Sequence, residues 1–288
     1  MIASLRLGLV CVASGLVVTV WAGFGGGWHP AADSLSLLRP VAGILCVLLM
    51  LGLRGRIWGV ALGLTGGAAL ITTLPLMMGS PTAGTLTLYS KNIWSRNQNL
   101  DALAADISDS NADVVTLQEV SAHNRGLLSR LAGDYPYQHL CAFGGWSGIA
   151  VLAKVPIHDQ VCSSRRGVAA AQIDQAGQRI WVGSVHLLWP FPRGNRRSAD
   201  AVTDVIAGLE EPVVLAGDFN IFPWAASVRQ IADAAGTEPL RPVRPTYYLQ
   251  GVPLLLDHVY GPYGGQVSYR SFLGSDHLGV LATVRLMP

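Results

Sequence analysis

Three long apolar runs fill the first part of the chain and distinguish it from the rest. Residues 7–24 and 57–78 contain no charged side chain, and each run reaches the roughly 20 residues that a helix needs to cross a hydrocarbon core. In the middle run, residues 35–53, Arg39 lies near the start and could snorkel to the membrane interface. A signal peptide followed by buried helices is the alternative, but two further runs joined by the basic link RGR argue against it. The pattern therefore predicts three transmembrane helices.

From Thr85 onward the apolar positions follow shorter and changing periods. The segments TLTLYSKNIW and ADVVTLQEV are typical of strands, and NQNLDALAADISDS between them has apolar residues at helical spacing. Buried strands such as PVVLA need cover on both faces, which two packed sheets with helices outside would provide. We therefore expect an α/β (α+β) domain of two mixed sheets at residues 85–288, joined by a short linker at 80–84 to a membrane anchor at 1–79.

Charged residues are scarce in the first part and ordinary in the second. Only five of the 84 residues before Thr85 are charged, whereas the remaining 204 residues carry 16 Lys and Arg against 17 Asp and Glu. Arg6, Arg54 and Arg56 flank the apolar runs on one side, and such basic residues favour the cytoplasmic side. An odd number of spans then predicts an extracytoplasmic soluble part. In that compartment Cys141 and Cys162, on neighbouring strands, could form a disulfide; two buried free thiols are the open alternative.

Polar side chains end several of the apolar strands of the soluble part. A single Asp or Asn after a strand is commonly a turn or helix-cap residue. In AGDFN, a carboxylate and an amide two residues apart also suit a metal or phosphate site. Six strand ends that behave alike favour a shared cleft over six unrelated turns. The residues are Asn92, Gln118, Glu119, His186, Asp218, Asn220, Asp257, Asp276 and His277.

With QE, GDFN and SDH in this order, the region from about Thr85 to Val284 resembles the endonuclease/exonuclease/phosphatase superfamily of deoxyribonuclease I-like phosphodiesterases. The resemblance implies a four-layer αββα sandwich and a phosphodiester hydrolase that uses Mg²⁺, with Mn²⁺ as a possible substitute. We expect a membrane-anchored bacterial-type member in the inner or plasma membrane. Trp94 stands where apurinic endonuclease relatives have an Asp, and His186 is foreign to that branch, which argues against abasic-site repair.

The metal site implied by this resemblance is built from oxygen ligands. Glu119 would be the principal ligand, Asn92 would lie nearby, and Asp276 would support the metal site or the neighbouring histidine. A carboxylate is the hard oxygen donor that Mg²⁺ prefers, and water and phosphate oxygens would complete the coordination.

The resemblance also implies roles in the reaction. His277 would be the base at the hydrolytic water, with Asp257 holding its ring. Asp218 would position or help activate the nucleophile. Asn220 would hydrogen-bond the phosphoryl oxygens, and His186 would contact the phosphate.

The substrate is the least determined feature of the sequence. Arg196 and Arg197 follow His186 closely and are predicted to reach the substrate phosphate from the cleft rim, and Trp189 is predicted to lie at the cleft mouth. Phe222 and Trp224 are predicted to join it there, where aromatic rings could stack on bases or enter the lipid interface. The expected partners are therefore a nucleic acid or phospholipid phosphodiester and the lipid bilayer, and we infer no protein partner. A membrane scaffold without catalysis is a third alternative, disfavoured because the expected catalytic residues are present.

Overall fold

A computed structural model describes residues 2–52, 56–79, 83–209 and 212–288 of the chain. The last residue of the predicted second span, Arg54 and most of the predicted linker at 80–84 lie outside the described residues. The helices are α1 (Ile2–Phe24), α2 (Pro30–Leu35), α3 (Arg39–Gly52), α4 (Arg56–Ile71), α5 (Leu74–Met77), α6 (Leu100–Asp109), α7 (Gly126–Leu131), α8 (Asn195–Ile206) and α9 (Ala226–Ala234).

Two six-stranded sheets form the centre of the soluble part. The first sheet has the strand order β13-β14-β1-β2-β4-β3, the second has β5-β6-β7-β8-β12-β9, and β10 and β11 form a separate hairpin. The strands are β1 (Leu86–Asn92), β2 (Val114–Val120), β3 (Tyr137–Cys141), β4 (Gly148–Ala153), β5 (Ile157–Cys162), β6 (Val168–Gln175), β7 (Gln178–His186), β8 (Val213–Asp218), β9 (Glu238–Pro239), β10 (Tyr247–Leu249), β11 (Val252–Leu254), β12 (Asp257–Gly261), β13 (Gly265–Arg270) and β14 (Gly279–Val284).

Each sheet contains one parallel pair among antiparallel neighbours. In the first sheet β1 and β2 run parallel with α6 between them in the chain, and in the second β7 and β8 run parallel with α8 between them. The other strand pairs are antiparallel. Such mixed sheets bring the carboxyl ends of both parallel pairs to one edge, where side chains can leave the core together.

Apolar side chains fill three interfaces and thereby produce four layers. One cluster joins the inner faces of the two sheets and includes Leu88, Val151, Val182 and Val214. A second packs α6 and α7 on the first sheet, and a third packs α8 and α9 on the second. This is the predicted αββα sandwich, and its order follows because strands buried on both faces require a helix layer outside each sheet.

The N-terminal part contains, within the described residues, three helical stretches long and apolar enough to cross a membrane: Leu7–Gly27, Pro30–Leu51 and Ile57–Met77. The second stretch begins earlier than the predicted residue 35, because α2 and the 3₁₀ turn Ser36–Leu38 lead into α3. The third is interrupted before Pro75, since proline cannot donate within a helix, and resumes as α5.

Residues 25–38, which join α1 to α3, dock on the soluble part; we call them the interspan segment. Its Asp33 is buried and accepts hydrogen bonds from the backbone N–H of Ala226 (2.6 Å) and Ser227 (3.1 Å), which caps the amino end of α9. The indole N–H of Trp224 donates to the carbonyl of Ser36 at 2.7 Å.

Arg39, for which the sequence left snorkelling to a membrane interface open, is buried in the structure. Its guanidinium is buried over the ring of Phe24 and donates to the carbonyls of Gly23 and Trp224. The soluble part therefore supplies a partner for a charge that would otherwise be buried among apolar helices.

Candidate active site

Polar side chains from both sheets meet where their parallel strands end. Asn92 at the end of β1 is in register with Gln118 on β2, and His186 at the end of β7 is in register with Asp218 on β8. Asp257 opens the antiparallel strand β12 directly beside Asp218. A cleft of about 580 Å³ at this edge is lined by five of the predicted residues: Glu119, Asp218, Asn220, Asp276 and His277. Asn92, His186 and Asp257 do not line it but contact Asp218 or His277, whereas the side chain of Gln118 donates to Ser184.

Glu119 enters this cleft because β2 is irregular at that residue. The strand has a bulge between Gln118 and Val120, and Glu119 adopts a left-handed φ of 60°. One carboxylate oxygen accepts the backbone N–H of Ser95 at 2.9 Å, and the other lies 3.3 Å from the side-chain nitrogen of Asn92. A carboxylate held at both oxygens is fixed in place while its remaining lone pairs face the cleft.

The AGDFN stretch depends on its glycine. Gly217 has a φ of 150°, and a Cβ there would lie 2.0 Å from the carbonyl oxygen of Val185 on the adjacent strand. Only glycine lets β8 approach β7 this closely, which places Asp218 beside His186. The two side chains are 3.6 Å apart, measured from Nε2 to Oδ2.

His277 is held by a carboxylate on one side and an aromatic ring on the other. Its Nδ1 lies 2.7 Å from Oδ2 of Asp257, and its Nε2 lies 3.9 Å from Oδ2 of Asp218. The ring of Tyr247, on the β10–β11 hairpin, lies 4.8 Å from the imidazole, centroid to centroid. Tyr247 could not be predicted as a site residue, because nothing in TYYL distinguishes a ring at the site from one in a hairpin.

Lys91 is a second residue that the sequence did not indicate. It is fully buried at the end of β1 and donates to the carbonyls of Ser271 (3.0 Å) and His277 (2.8 Å). Burial lowers its pKa to about 8, with nearby carboxylates opposing the shift. Together with the hydroxyl of Ser275, which donates to the carbonyl of Asn92, Lys91 fastens the SDH loop to β1.

The two cleft histidines have opposite electrostatic surroundings. Burial lowers the pKa of His186 well below its ordinary value, and the charges of Arg166 and His277 lower it further, so His186 is neutral near pH 7. Burial also opposes charge on His277, but Asp257 and Asp218 outweigh it and raise its pKa to about 10. Burial raises the pKa of Asp218, with the charge of His277 opposing that shift.

The two amides predicted for the site, Asn92 and Asn220, are hydrogen-bonded to the protein in this structure. The side-chain oxygen of Asn92 accepts the backbone N–H of Trp94 and keeps a second lone pair, while its NH₂ group faces Glu119 and Asp218. The NH₂ group of Asn220 donates to the carbonyl of Leu187 and to Asp218, so the predicted hydrogen bond to a phosphoryl oxygen would replace one of these contacts. Both amides contact Asp218, and Asn92 also contacts Glu119.

The donor set of the cleft fits a hard divalent cation. Glu119, Asp218 and the exposed Asp276 line the cleft and offer carboxylate oxygens, which Mg²⁺ and Mn²⁺ accept. Asp218, Asp257 and His277 also converge, with their ligand atoms within 4.8 Å of one another. A protonated histidine cannot bind a metal, so we regard that second group as a charge network.

The residues predicted to bind substrate divide into two groups. Trp189 lines the cleft and meets the ring of Tyr247 edge-on at 5.9 Å. Neither Arg196 nor Arg197 lines the cleft: Arg196 lies at a separate surface depression, and Arg197 lines a small cavity next to Arg166. Arg196 instead pairs with Asp200 and donates to the carbonyl of Gly26.

Phe222 and Trp224 also do not lie at the cleft mouth. Both are buried and pack with Leu37, Leu76 and Met77 of the N-terminal part. The described cysteines of the soluble part, Cys141 and Cys162, are joined by a disulfide, which resolves the alternatives left open by the sequence.

Comparisons with known proteins agree with this architecture. Residues 89–277 match the endonuclease/exonuclease/phosphatase family, and the chain belongs to that family. No curated protein matches the sequence significantly.

Solved structures of similar fold come from several kinds of protein. A Staphylococcus aureus beta toxin variant with bound magnesium ions is 16% identical, with a TM-score of 0.54, and the match covers 71% of this chain and 100% of the toxin. Sphingomyelinase C from Streptomyces griseocarneus is 19% identical, with a TM-score of 0.53 and coverage of 69% and 99%. D. rerio TDP2 with a single-strand DNA product is 18% identical, with a TM-score of 0.56 and coverage of 68% and 97%. At these identities the likeness shows the fold alone.

Proposed function

We propose that this protein is a membrane-anchored, divalent-metal-dependent phosphodiester hydrolase that acts on nucleic acid or a related phosphodiester. The observation that carries the proposal is the cleft itself, where the Glu119 carboxylate faces the buried His277–Asp257 pair across Asp218. A phosphodiester is anionic, and this arrangement offers a metal site beside a buried cation for the charge that builds during hydrolysis.

Glu119 would hold the metal, with Asp276 at the open side of the cleft. A divalent cation there would supply Lewis-acid stabilisation of the phosphoryl oxygens. We propose Mg²⁺ as the natural ion and Mn²⁺ as a substitute, since both accept carboxylate oxygens.

We assign the proton transfers of the reaction to three side chains of the site. The high pKa of His277 makes it a poor proton acceptor at neutral pH and a good donor to a phosphoryl oxygen. Asp218, whose pKa is raised by burial, is the better candidate to accept the proton of the attacking water. Neutral His186, next to Asp218, is placed to donate to the phosphate or leaving group.

A lipid phosphodiesterase is the second candidate, and one observation favours it. The β10–β11 hairpin exposes Tyr248, Leu249 and Val252, while its Tyr247 lines the cleft. An exposed apolar hairpin beside a cleft could enter a lipid interface, which would bring a lipid headgroup to the site.

The test uses the full-length chain in a nonionic detergent, because Trp224 and α9 are held by the interspan segment. We expect hydrolysis of bis(p-nitrophenyl) phosphate with MgCl₂ and none after chelation with EDTA. Parallel assays distinguish a nuclease from a lipid phosphodiesterase; their substrates are single-stranded DNA, RNA, sphingomyelin and phosphatidylcholine. If no substrate is turned over and His277→Ala is indistinguishable from the unmodified chain, the proposal that this protein is an enzyme is refuted.

We also propose that the three apolar stretches cross the membrane and leave the soluble part outside the cytoplasm. The Cys141–Cys162 disulfide supports that side, because disulfides persist in oxidising compartments. An alkaline phosphatase fused after Pro288 should be active and a green fluorescent protein at the same position dark. The reverse pattern would place the soluble part in the cytoplasm.

A further inference from the structure

Four arginines converge on a small cavity beside the candidate active site. Two come from the turn between β5 and β6, one directly precedes the N-cap of α8, and one lies in its first turn, so the fold unites pairs that are distant in sequence. The cavity measures about 190 Å³, and we call it the arginine pocket. Its basic residues are Arg165, Arg166, Arg193 and Arg197.

The four guanidiniums of this pocket form no ion pair with a described residue, although Asp218 and Glu119 act on Arg166 at longer range. Among the residues that the structure describes, no carboxylate lies within 4 Å of any of the four guanidiniums, whereas Arg196, Arg130 and Arg270 each have one. Nε of Arg166 is buried and has no hydrogen-bond partner. Four like charges around one cavity repel each other unless an anion joins them, so the pocket favours an anionic ligand.

Helix α8 strengthens this preference. It has 12 residues, begins directly after Gly194 in a left-handed conformation, and has no side-chain cap. Arg193, Gly194, Arg197 and Ser198 all line the pocket, so the positive end of the helix dipole faces the same cavity as the guanidiniums.

Arg166 links the pocket to the neighbourhood of the active site by two contacts. This side chain donates to the carbonyl of Leu187, directly after His186, at 3.1 Å. Its guanidinium also lies 5.0 Å from the ring of Trp146, which lines the cleft. A ligand group in the pocket would therefore lie on the His186 side of the scissile phosphodiester.

We propose that the arginine pocket binds a second phosphate of the substrate, and that this substrate is a nucleic acid strand. The proposal rests on the hydrolase function proposed above. A polynucleotide carries a phosphate at every residue, and Trp146 and Trp189 at the cleft offer surfaces on which its bases stack. A choline headgroup is cationic and would be repelled by four guanidiniums, which disfavours sphingomyelin.

The kinetic test compares two small substrates that differ by one phosphate. Thymidine 5′-(p-nitrophenyl phosphate) has only the scissile phosphodiester, and its 3′-phosphorylated form has a second phosphate one nucleoside away. With the full-length chain and MgCl₂, we expect KM at least about tenfold lower for the 3′-phosphorylated substrate, with similar kcat. Arg193→Gln/Arg197→Gln should raise that KM to the value of the simpler substrate and leave the simpler substrate unaffected.

Arg196→Gln is the matched control. It removes the same charge from the same helical turn, but Arg196 pairs with Asp200 outside the pocket, so the tenfold difference should persist. Equal KM for the two substrates in the unmodified chain, or an equal effect of the control, would overturn the proposal.

A binding measurement separates this proposal from the hydrolase proposal. Pyrophosphate, titrated calorimetrically without added metal into the protein in phosphatidylcholine nanodiscs, should bind, and the double variant should not bind it. If neither nucleotide is hydrolysed, the hydrolase proposal fails. The pyrophosphate titration then tests by itself whether the arginine pocket binds phosphate. Loss of pyrophosphate binding in phosphatidylglycerol nanodiscs would mean that bilayer phosphates occupy the pocket, which would overturn the nucleic acid assignment.

Discussion

A Glu119→Gln variant should lose at least about a thousandfold in kcat on bis(p-nitrophenyl) phosphate and should no longer respond to MgCl₂. Both oxygens of Glu119 accept hydrogen bonds, one from the N–H of Ser95 and one from the NH₂ of Asn92. A glutamine has the same shape but only one acceptor oxygen, so its NH₂ group must face another donor. The substitution therefore removes the ligand charge and also loosens the geometry of the site.

Glu238→Gln is the matched control, because Glu238 is exposed on β9 and belongs to no part of the cleft. Its activity should equal that of the unmodified chain. Thermal unfolding should be measured for both variants, since a lost hydrogen bond at Glu119 costs only about 1–3 kcal/mol and leaves the fold intact. A folded Glu119→Gln protein with full magnesium-dependent activity would contradict the assignment of the metal site.

The fold and the positions of the site residues could be predicted from the sequence because both depend on local patterns. Apolar strands that end in polar residues predicted a shared cleft, and Asn92, His186, Asp218 and Asp257 do lie at the ends of paired strands. Period changes along the chain likewise predicted two mixed sheets with outer helices. These features follow from residue order alone.

Features that depend on orientation or distant contacts could not be predicted in this way. Which end of an amide faces the cleft is decided by the backbone groups that pack against it, as for Asn92 and Asn220. Arg196 and Arg197 are adjacent in sequence, yet consecutive helical residues point about 100° apart. One therefore contacts Gly26 and the other lines the arginine pocket.

The contacts of the interspan segment are a second example of distant contacts that could not be predicted from the sequence. GGGWHPAAD has the composition of an ordinary loop between two spans, and Phe222 and Trp224 follow the GDFN motif closely enough to suggest the cleft mouth. Only the folded chain brings the segment against α9, where Asp33 caps the helix and Trp224 donates to Ser36. Because Trp224 and Ala226 follow Asn220 closely in the chain, these contacts also connect the N-terminal part to the active-site edge.

An Asp257→Asn variant should lose about a hundredfold in kcat at neutral pH, with the loss growing as the pH rises. Asparagine can still accept the hydrogen bond from Nδ1 of His277, so the ring keeps its position while the neighbouring negative charge disappears. Asp257 is the strongest of the carboxylates that raise the pKa of His277 to about 10, and Asp218 remains in the variant. The pKa of His277 should therefore fall in the variant without returning fully to its ordinary value.

The sign of the pH dependence distinguishes a cationic His277 from a basic one. If the imidazolium stabilises the phosphoryl oxygens, activity persists below the pKa of His277 and is lost above it, so the alkaline limit near pH 10 should move to lower pH in Asp257→Asn. If His277 were the base, lowering its pKa would extend activity toward acid. Asp174→Asn is the control, because Asp174 and His158 form an Asp–His contact of the same 2.7 Å on the exposed surface. If Asp257→Asn instead gained activity at acid pH, His277 would be the general base, and the cationic role proposed for it would be wrong.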